Sequence, residues 1–389
     1  MTRITPVPSR VLADRSLSCF AVAAPGLESL VADELRGLQA FHPLELADPE
    51  PGGIGFHTGR RGLYAANLHL RIASRVLVRV GTFHAAAFHE LERHAARLPW
   101  TEFIAPGRPV AFRVTSKKSR LYHQDAVAER LVAAAGAPAA GPAETPQEFV
   151  VRLFRDECTV SADASGELLH RRGYRQAVAR APLRETIAAA MLLAVGWDGS
   201  TPLVDPFCGS GTIPIEGALL ARRIAPGLVR ADRSSGFAFQ SWPELDARAW
   251  REEVDAARAE VRPGAEVPIV GSDRDAGAVA AARENATRAG VAADATFERR
   301  ALSDAAPPDG AGVGMLVTNP PYGVRVGDQA AVRDLWARFG QVVHERFGGW
   351  TAALLSPDPA LDRQTRLRLA ERFRTRNGGI PVRLVAGSP

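Results

Sequence analysis

The chain has 389 residues, more than one typical domain holds, so two or three domains are expected. Its 46% hydrophobic and 23% charged content is globular, and no run of about 18 apolar residues marks a membrane span. The net charge of +5 does not establish a nucleic-acid partner by itself: the only lysines are Lys117 and Lys118, and an arginine bias also follows genomic base composition.

Residues 1–17 mix Pro, Ser and Arg without an apolar stretch, which predicts a flexible amino-terminal extension and argues against a secretory signal. Residues 18–62 read as a strand, a helix and a hairpin, with Leu27, Leu30, Val31, Leu35 and Leu38 giving the helix one apolar face. Residues 63–168 read as a helix, strands through Val76–Val78 and Val110–Val114, a helix from Gln124 to Ala135, and a closing hairpin through Phe149–Val151 and Thr159–Val160. The Ala- and Pro-rich stretch Ala137–Glu148 reads as an exposed loop. Between Phe112 and His123 a strand ends in a basic loop before a helix, so Lys117, Lys118 and Arg120 are candidates for gripping phosphate oxygens. A merely solvated basic loop fits the same residues.

From about residue 169 strands and helices alternate, the doubly wound α/β pattern. A short strand, Leu203-Val204-Asp205, leads into Pro206-Phe207-Cys208-Gly209-Ser210-Gly211-Thr212 and then a helix. Gly209 and Gly211 allow positive φ and close approach to a ligand, and the helix start offers free N–H groups. A dinucleotide fingerprint needs glycine where Pro214 stands, and a phosphate-binding P-loop needs a lysine that is missing. An acid before the loop suits an ammonium group better than a pyrophosphate, which points to S-adenosylmethionine. A second strand, through Ile269, ends at Asp273, placed to accept from ribose hydroxyls with Arg274 beside it, while Asp275 reads as the cap of the helix from Ala276 to Ala289. Residues 222–262, with Phe237, Phe239, Trp242 and Trp250, read as an insertion bordering the pocket, their rings packing a small core.

The most telling stretch is Thr318-Asn319-Pro320-Pro321-Tyr322-Gly323, after the apolar run Val313–Val317. Two prolines stop the strand and turn the backbone outward. That leaves the Asn319 side-chain oxygen and the Pro320 carbonyl as acceptors, with the Tyr322 ring beside them. Two acceptors and an aromatic plane fit a flat ring bearing an exocyclic amino group, such as a flipped nucleobase. The expected chemistry is methyl transfer to that nitrogen, driven by orientation and fixed dipoles, with no metal. A further helix should bury Leu335, Trp336, Phe339, Val342 and Val343. Cys19, Cys158 and Cys208 form neither a disulfide framework nor a metal motif, so a cytoplasmic location is expected.

Together Asp205–Thr212, Gly271–Asp275 and Asn319–Gly323 resemble the motifs of class I methyltransferases acting on amino groups. His170-Arg171-Arg172-Gly173-Tyr174-Arg175, then Ala181-Pro182-Leu183-Arg184-Glu185-Thr186, and the late Asn377-Gly378-Gly379-Ile380 are similar to THUMP-domain guanine-N2 RNA methyltransferases. The resemblance implies a ferredoxin-like lobe at 18–62, a THUMP RNA-binding domain at 63–168 and a catalytic domain at 169–389. It implies that Arg184, Glu185, Thr186 and Leu302 contact S-adenosylmethionine and that Arg171, Arg172 and Arg175 contact RNA. The family often carries an acid near the adenine; here Ala301 stands there, with Asp304 a few residues on. Ribosomal RNA is the first expected substrate and transfer RNA the second. Adenine N6, or a non-catalytic assembly role, are the competing readings.

Overall fold

The structure is a computed structural model, and the residues it describes are 16–141, 144–176, 183–231, 236–322 and 329–389. Most of the expected amino-terminal extension, together with Ala181, Pro182 and Gly323, lies outside them. β1 (Leu17–Val22), α1 (Glu28–Leu38), β2 (Leu44–Glu50), β3 (Gly53–Thr58), α2 (Arg60–His69) and β4 (Arg75–His84) follow the β-α-β-β-α-β order of a ferredoxin-like unit. Next come α3 (Phe88–Ala95), β5 (Val110–Lys117), α4 (Gln124–Ala135), β6 (Gln147–Phe154) and β7 (Glu157–Asp163).

These strands form one sheet in the order β2-β3-β1-β4-β7-β6-β5. β4 pairs with β1 on one side and β7 on the other, so no break in the ladder separates the two amino-terminal lobes. α1 buries Val31, Ala32 and Leu35 along the apolar stripe its sequence spells out. α3 was not expected, because only Leu91 and Ala95 of its eight residues are buried. Glu90 secures its start by accepting from the N–H groups of Ala86 and Ala87.

The second half contains α5 (Glu185–Ala194), β8 (Leu203–Asp205), α6 (Thr212–Ala221), α7 (Leu228–Ala231), α8 (Ala247–Ala259), β9 (Ile269–Asp273), α9 (Ala276–Arg288) and β10 (Thr296–Arg299). It continues with β11 (Met315–Thr318), α10 (Gln329–Arg346), β12 (Thr351–Ser356), α11 (Pro359–Gln364), β13 (Arg368–Asn377) and β14 (Ile380–Ser388). The sheet order is β10-β9-β8-β11-β12-β14-β13. Its first five strands run parallel, and β14 is antiparallel to both neighbours. Strand order reverses between β8 and β11, and ligands of open α/β sheets bind outside the carboxyl ends at such a switch point. Trp336, Phe339, Val342 and Val343 of α10 are buried against this sheet, with Leu335 only half-buried.

The described part of the 222–262 insertion lies elsewhere than expected. Tyr64 of α2 stacks on Phe239 at 4.7 Å between ring centroids and meets Trp250 edge-on at 5.9 Å. Arg61 pairs with Glu252 and Glu253, and the Gly227 N–H donates to Leu68 O at 2.8 Å. The segment therefore clamps the amino-terminal lobe instead of bordering the glycine-loop crevice, because its large rings bury their area against Tyr64. Among the described residues no helix is long and apolar enough to cross a membrane.

Candidate active site

The crevice is built where β8, β9 and β11 end. Asp205 is 1% exposed. Its Oδ1 accepts from the Phe207 N–H at 3.1 Å and from the Thr318 hydroxyl at 2.5 Å. The second bond crosses the switch point, joining the acid before the glycine loop to the residue before Asn319. Burial chiefly, with a smaller push from nearby Asp273 and against the lowering effect of its two donors, raises the Asp205 carboxyl to about 7.

The loop after β8 is locked from the side of β9 and α9. Cys208 N–H donates to Ser272 O at 2.9 Å, Gly209 N–H to Asp273 Oδ2 at 3.1 Å, and Asn285 Nδ2 to Ser210 O at 3.0 Å. Pro206 and Thr212 are buried, and Phe207 and Ser210 are half-buried. Gly209 and Gly211 both have positive φ, +50° and +85°, but for different reasons. A Cβ on Gly211 would come within 2.9 Å of Ala282 and Phe297, so that glycine serves close packing. A Cβ on Gly209 would meet nothing within 4 Å, so only Gly209 faces open space.

Asp273 also accepts from the Asp275 N–H, and Asp275 caps α9 through the N–H groups of Gly277 and Ala278, as expected. The Arg274 side chain is exposed and its carbonyl accepts from Arg299. After β10 the chain is held by Arg300 N–H donating to Asp273 O at 3.0 Å, which brings the half-buried Leu302 beside the end of β9.

β11 ends as its prolines dictate. Asn319 Oδ1 is buried and has no hydrogen-bond partner among the described residues. An unsatisfied buried oxygen costs about 1–3 kcal/mol, so this acceptor is held open at a price in stability. Pro320 is buried, Pro321 is exposed and its carbonyl accepts from Trp336 Nε1 at 3.2 Å. The Tyr322 hydroxyl accepts from Asn377 Nδ2 at 3.0 Å. That contact was not foreseen, although Asn377-Gly378-Gly379-Ile380 was recognisable as a hairpin. Gly378 and Gly379 (φ +56° and +87°) make the two-residue turn between β13 and β14 and set Asn377 opposite Ile380.

Two residues expected to contact RNA make internal contacts. Arg172 is 2% exposed; it donates to Leu169 O and Arg71 O and pairs with Glu216 at 3.4 Å. Arg175 pairs with Glu185 at 3.2 Å and donates to Leu183 O and Thr212 Oγ1. The Arg172 guanidinium is consumed inside the protein, tying the amino-terminal lobe to α6, and cannot reach a polyanion, whereas the half-buried Arg175 ties the start of α5 to α6. Arg171 remains exposed and pairs loosely with Glu167. Glu185 and Thr186 are buried at the start of α5, and Arg184 is exposed just before it. Lys117, Lys118 and Arg120 are exposed at the tip of β5. The structure adds a neighbour that sequence order hid, Arg155, whose N–H donates to Lys117 O, and leaves Tyr122 of the same stretch 67% exposed.

This strand order, with its crevice at the switch point, is that of the class I methyltransferases. The chain matches the RMKL-like methyltransferase domain over residues 172–386 and the RlmL ferredoxin-like domain over residues 18–77. A Synechocystis protein carrying the provisional name RNA methyltransferase is 35% identical over 375 residues, covering 94% of this chain and 95% of its own. The chain belongs to the RMKL-like methyltransferase family. The ribosomal RNA large subunit methyltransferase K/L of Syntrophotalea carbinolica is 36% identical across 96% of this chain and 53% of its own. The chain thus spans about half the length of relatives bearing that name. The protein SMU.472, provisionally described as a methyltransferase and solved with SAH, has a TM-score of 0.85 at 29% identity, covering 96% of this chain and 98% of its own.

Proposed function

We propose that the protein transfers a methyl group from S-adenosylmethionine to the exocyclic amino group of an RNA base, guanine N2 of 23S ribosomal RNA before others. The observation that carries this reading is the buried Asn319 Oδ1, without a hydrogen-bond partner among the described residues, directly after the strand end that is hydrogen-bonded to Asp205 and three residues before Tyr322. The ribosomal relatives and the chain's own family support RNA as substrate. On this reading the ferredoxin-like lobe, expected at 18–62, extends to at least residue 77, the THUMP domain follows it up to residue 168, and residues 169–389 are the catalytic domain. Transfer RNA is the second substrate candidate, ahead of an adenine N6 target.

The crevice fits the cofactor. Its two carboxylates, Asp205 and Asp273, stand at neighbouring strand ends, the loop carries no basic side chain for a phosphate, and Gly209 faces open space. When bound, S-adenosylmethionine supplies an electrophilic methyl carbon. Asp205, with the Pro206–Thr212 loop and the start of α5 at Arg184–Thr186, holds the methionine part. Asp273 takes the ribose hydroxyls, with Arg274 and Leu302 flanking the adenine. Asn319 Oδ1 and the Pro320 carbonyl accept the two amino protons of the base and localise its lone pair, Pro321 fixes the turn, and Tyr322 stacks on the ring. Lys117, Lys118, Arg120 and Arg171 grip phosphates.

Two outcomes follow for the cofactor. Asp273→Ala should weaken its binding at least about tenfold, since two charge-assisted hydrogen bonds to ribose are lost; calorimetry with an unchanged dissociation constant would remove Asp273 from the site. Asp205 titrates near 7 when folded against 3.8 ordinarily, so the folded state holds its proton more tightly. Its contribution to stability is complete below about 4 and is lost as pH rises through about 7. The charged form, which attracts an ammonium group, gains in the same window. Cofactor affinity should therefore rise between about pH 6 and 8 in the native protein and be flat in Asp205→Asn; equal pH profiles would contradict that role.

Nucleoside mass spectrometry of 23S ribosomal RNA from a deletion strain, remethylated by the purified protein, tests the whole reading. Restoration of N2-methylguanosine supports it, whereas N6-methyladenosine or a mark restored only in transfer RNA replaces the substrate. Absence of cofactor binding in titration would leave a scaffold role.

A further inference from the structure

β13 carries a charge pattern that the proposed chemistry has not used. Residues 363–376 contain six arginines and one glutamate, a net of +5, as large as the net charge of the entire chain. Arg363, Arg366, Arg368, Arg372, Arg374 and Arg376 are all exposed. Arg372 lies exposed within the irregularity at Glu371–Phe373; beyond it the strand alternates, Arg374 and Arg376 facing solvent while Phe373, Thr375 and Asn377 are buried. Glu371 is shared between Arg374 and Arg383, and Arg376 donates to Gly379 O across the hairpin turn. Among the described residues no carboxylate pairs with Arg363, Arg366, Arg368 or Arg372.

Position gives the stripe its meaning. Its last residue adjoins Asn377, whose amide holds the Tyr322 hydroxyl. Arg376, on the opposite, solvent face of the strand from Asn377, therefore ends the row at the same end of the sheet as the crevice. Alternate residues of a strand stand about 7 Å apart, the step of one nucleotide in an extended chain. Charges on an edge strand are also a common defence against edge-to-edge pairing. That explanation is weakened here because the β13 backbone is already approached at Arg374. Gly26, in the β1–α1 turn, sits so close that a Cβ there would clash with Arg374 O.

We infer that the solvent face of β13 is a track for the phosphodiester backbone of RNA flanking the target nucleotide, leading it to Tyr322. The inference rests on the RNA reading of the crevice and names a contact surface that reading did not contain. Arg372 and Arg374 bind successive phosphates, and Arg376 binds the one nearest the base.

The test is salt-dependent binding of an unmethylated 23S ribosomal RNA transcript to the full chain and to the Arg372→Gln, Arg374→Gln, Arg376→Gln triple variant. Three lost phosphate contacts should reduce the slope of log affinity against log salt by about 2 and weaken binding about tenfold or more at 0.15 M salt. The corresponding lysine triple variant should recover most of both. S-adenosylmethionine affinity by calorimetry checks that each variant is folded. Unaltered slope and affinity in the glutamine variant, with the wild type binding normally, overturn the track alone. Self-association of that variant with unaltered RNA affinity overturns it too and assigns the arginines to edge protection. A wild-type chain that binds no RNA overturns both the track and the reading beneath it.

Discussion

Asn319→Ala is expected to lower turnover at least about a hundredfold while cofactor affinity stays within about twofold. The reasoning is local. An aryl amine shares its lone pair with the ring and is a weak nucleophile until its protons are drawn to fixed acceptors. On the proposed reading Asn319 Oδ1 is such an acceptor, buried and without a partner among the described residues, so the protein itself bears the cost of holding it ready. The cofactor contacts assigned to Asp205 and Asp273 do not involve this side chain. Single-turnover methyl transfer with saturating RNA, beside calorimetry with S-adenosylmethionine, separates the two effects. Undiminished single-turnover rates in the variant would exclude the amide from the mechanism.

The second large effect concerns stability. Arg172→Ala should destabilise the fold by about 3–5 kcal/mol, because it strands the buried Glu216 carboxylate. Among the described residues Glu216 keeps the hydrogen bond from the Tyr174 hydroxyl at 3.0 Å and the charge of nearby Arg71, and the carbonyls of Leu169 and Arg71 lose their donor. Neighbouring Arg171, 65% exposed, should change stability by less than about 0.5 kcal/mol when truncated. Urea denaturation midpoints for the two variants decide the matter. Equal midpoints would mean that the Arg172 network does not hold the lobes together. The Arg172→Met, Glu216→Leu pair, which removes both charges, should recover much of the loss.

The catalytic half was legible because its signals are local. Strand ends with an acid, glycines at Gly209 and Gly211, and the double proline after Asn319 all act within a few residues, and the structure forms strands, turns and helices where these predict. The Asp275 cap and the Gly378-Gly379 turn were readable for the same reason. What failed were statements about which way a side chain faces. Arg172 and Arg175 look like a polyanion grip in sequence, but their partners Glu216, Glu185 and Arg71 lie far along the chain. The aromatics of the 222–262 segment gave no hint that Tyr64, from another lobe, receives them. The arginines of β13 were visible as residues but not as a face, since alternation acquires meaning only once the strand's register and its edge position are known.

The hydrogen bond from Asn377 to the Tyr322 hydroxyl spans 55 residues of sequence and depends on the final hairpin of the sheet. A ribosome delivers the motif around Tyr322 well before it delivers β13 and β14, and chains tend to fold in the order they emerge. In a nascent protein the Tyr322 ring is thus present before the strand that supplies Asn377. Asn377 reaches the Tyr322 hydroxyl only once β13 and β14 have paired, so the anchoring of that ring is among the later contacts of this sheet to form.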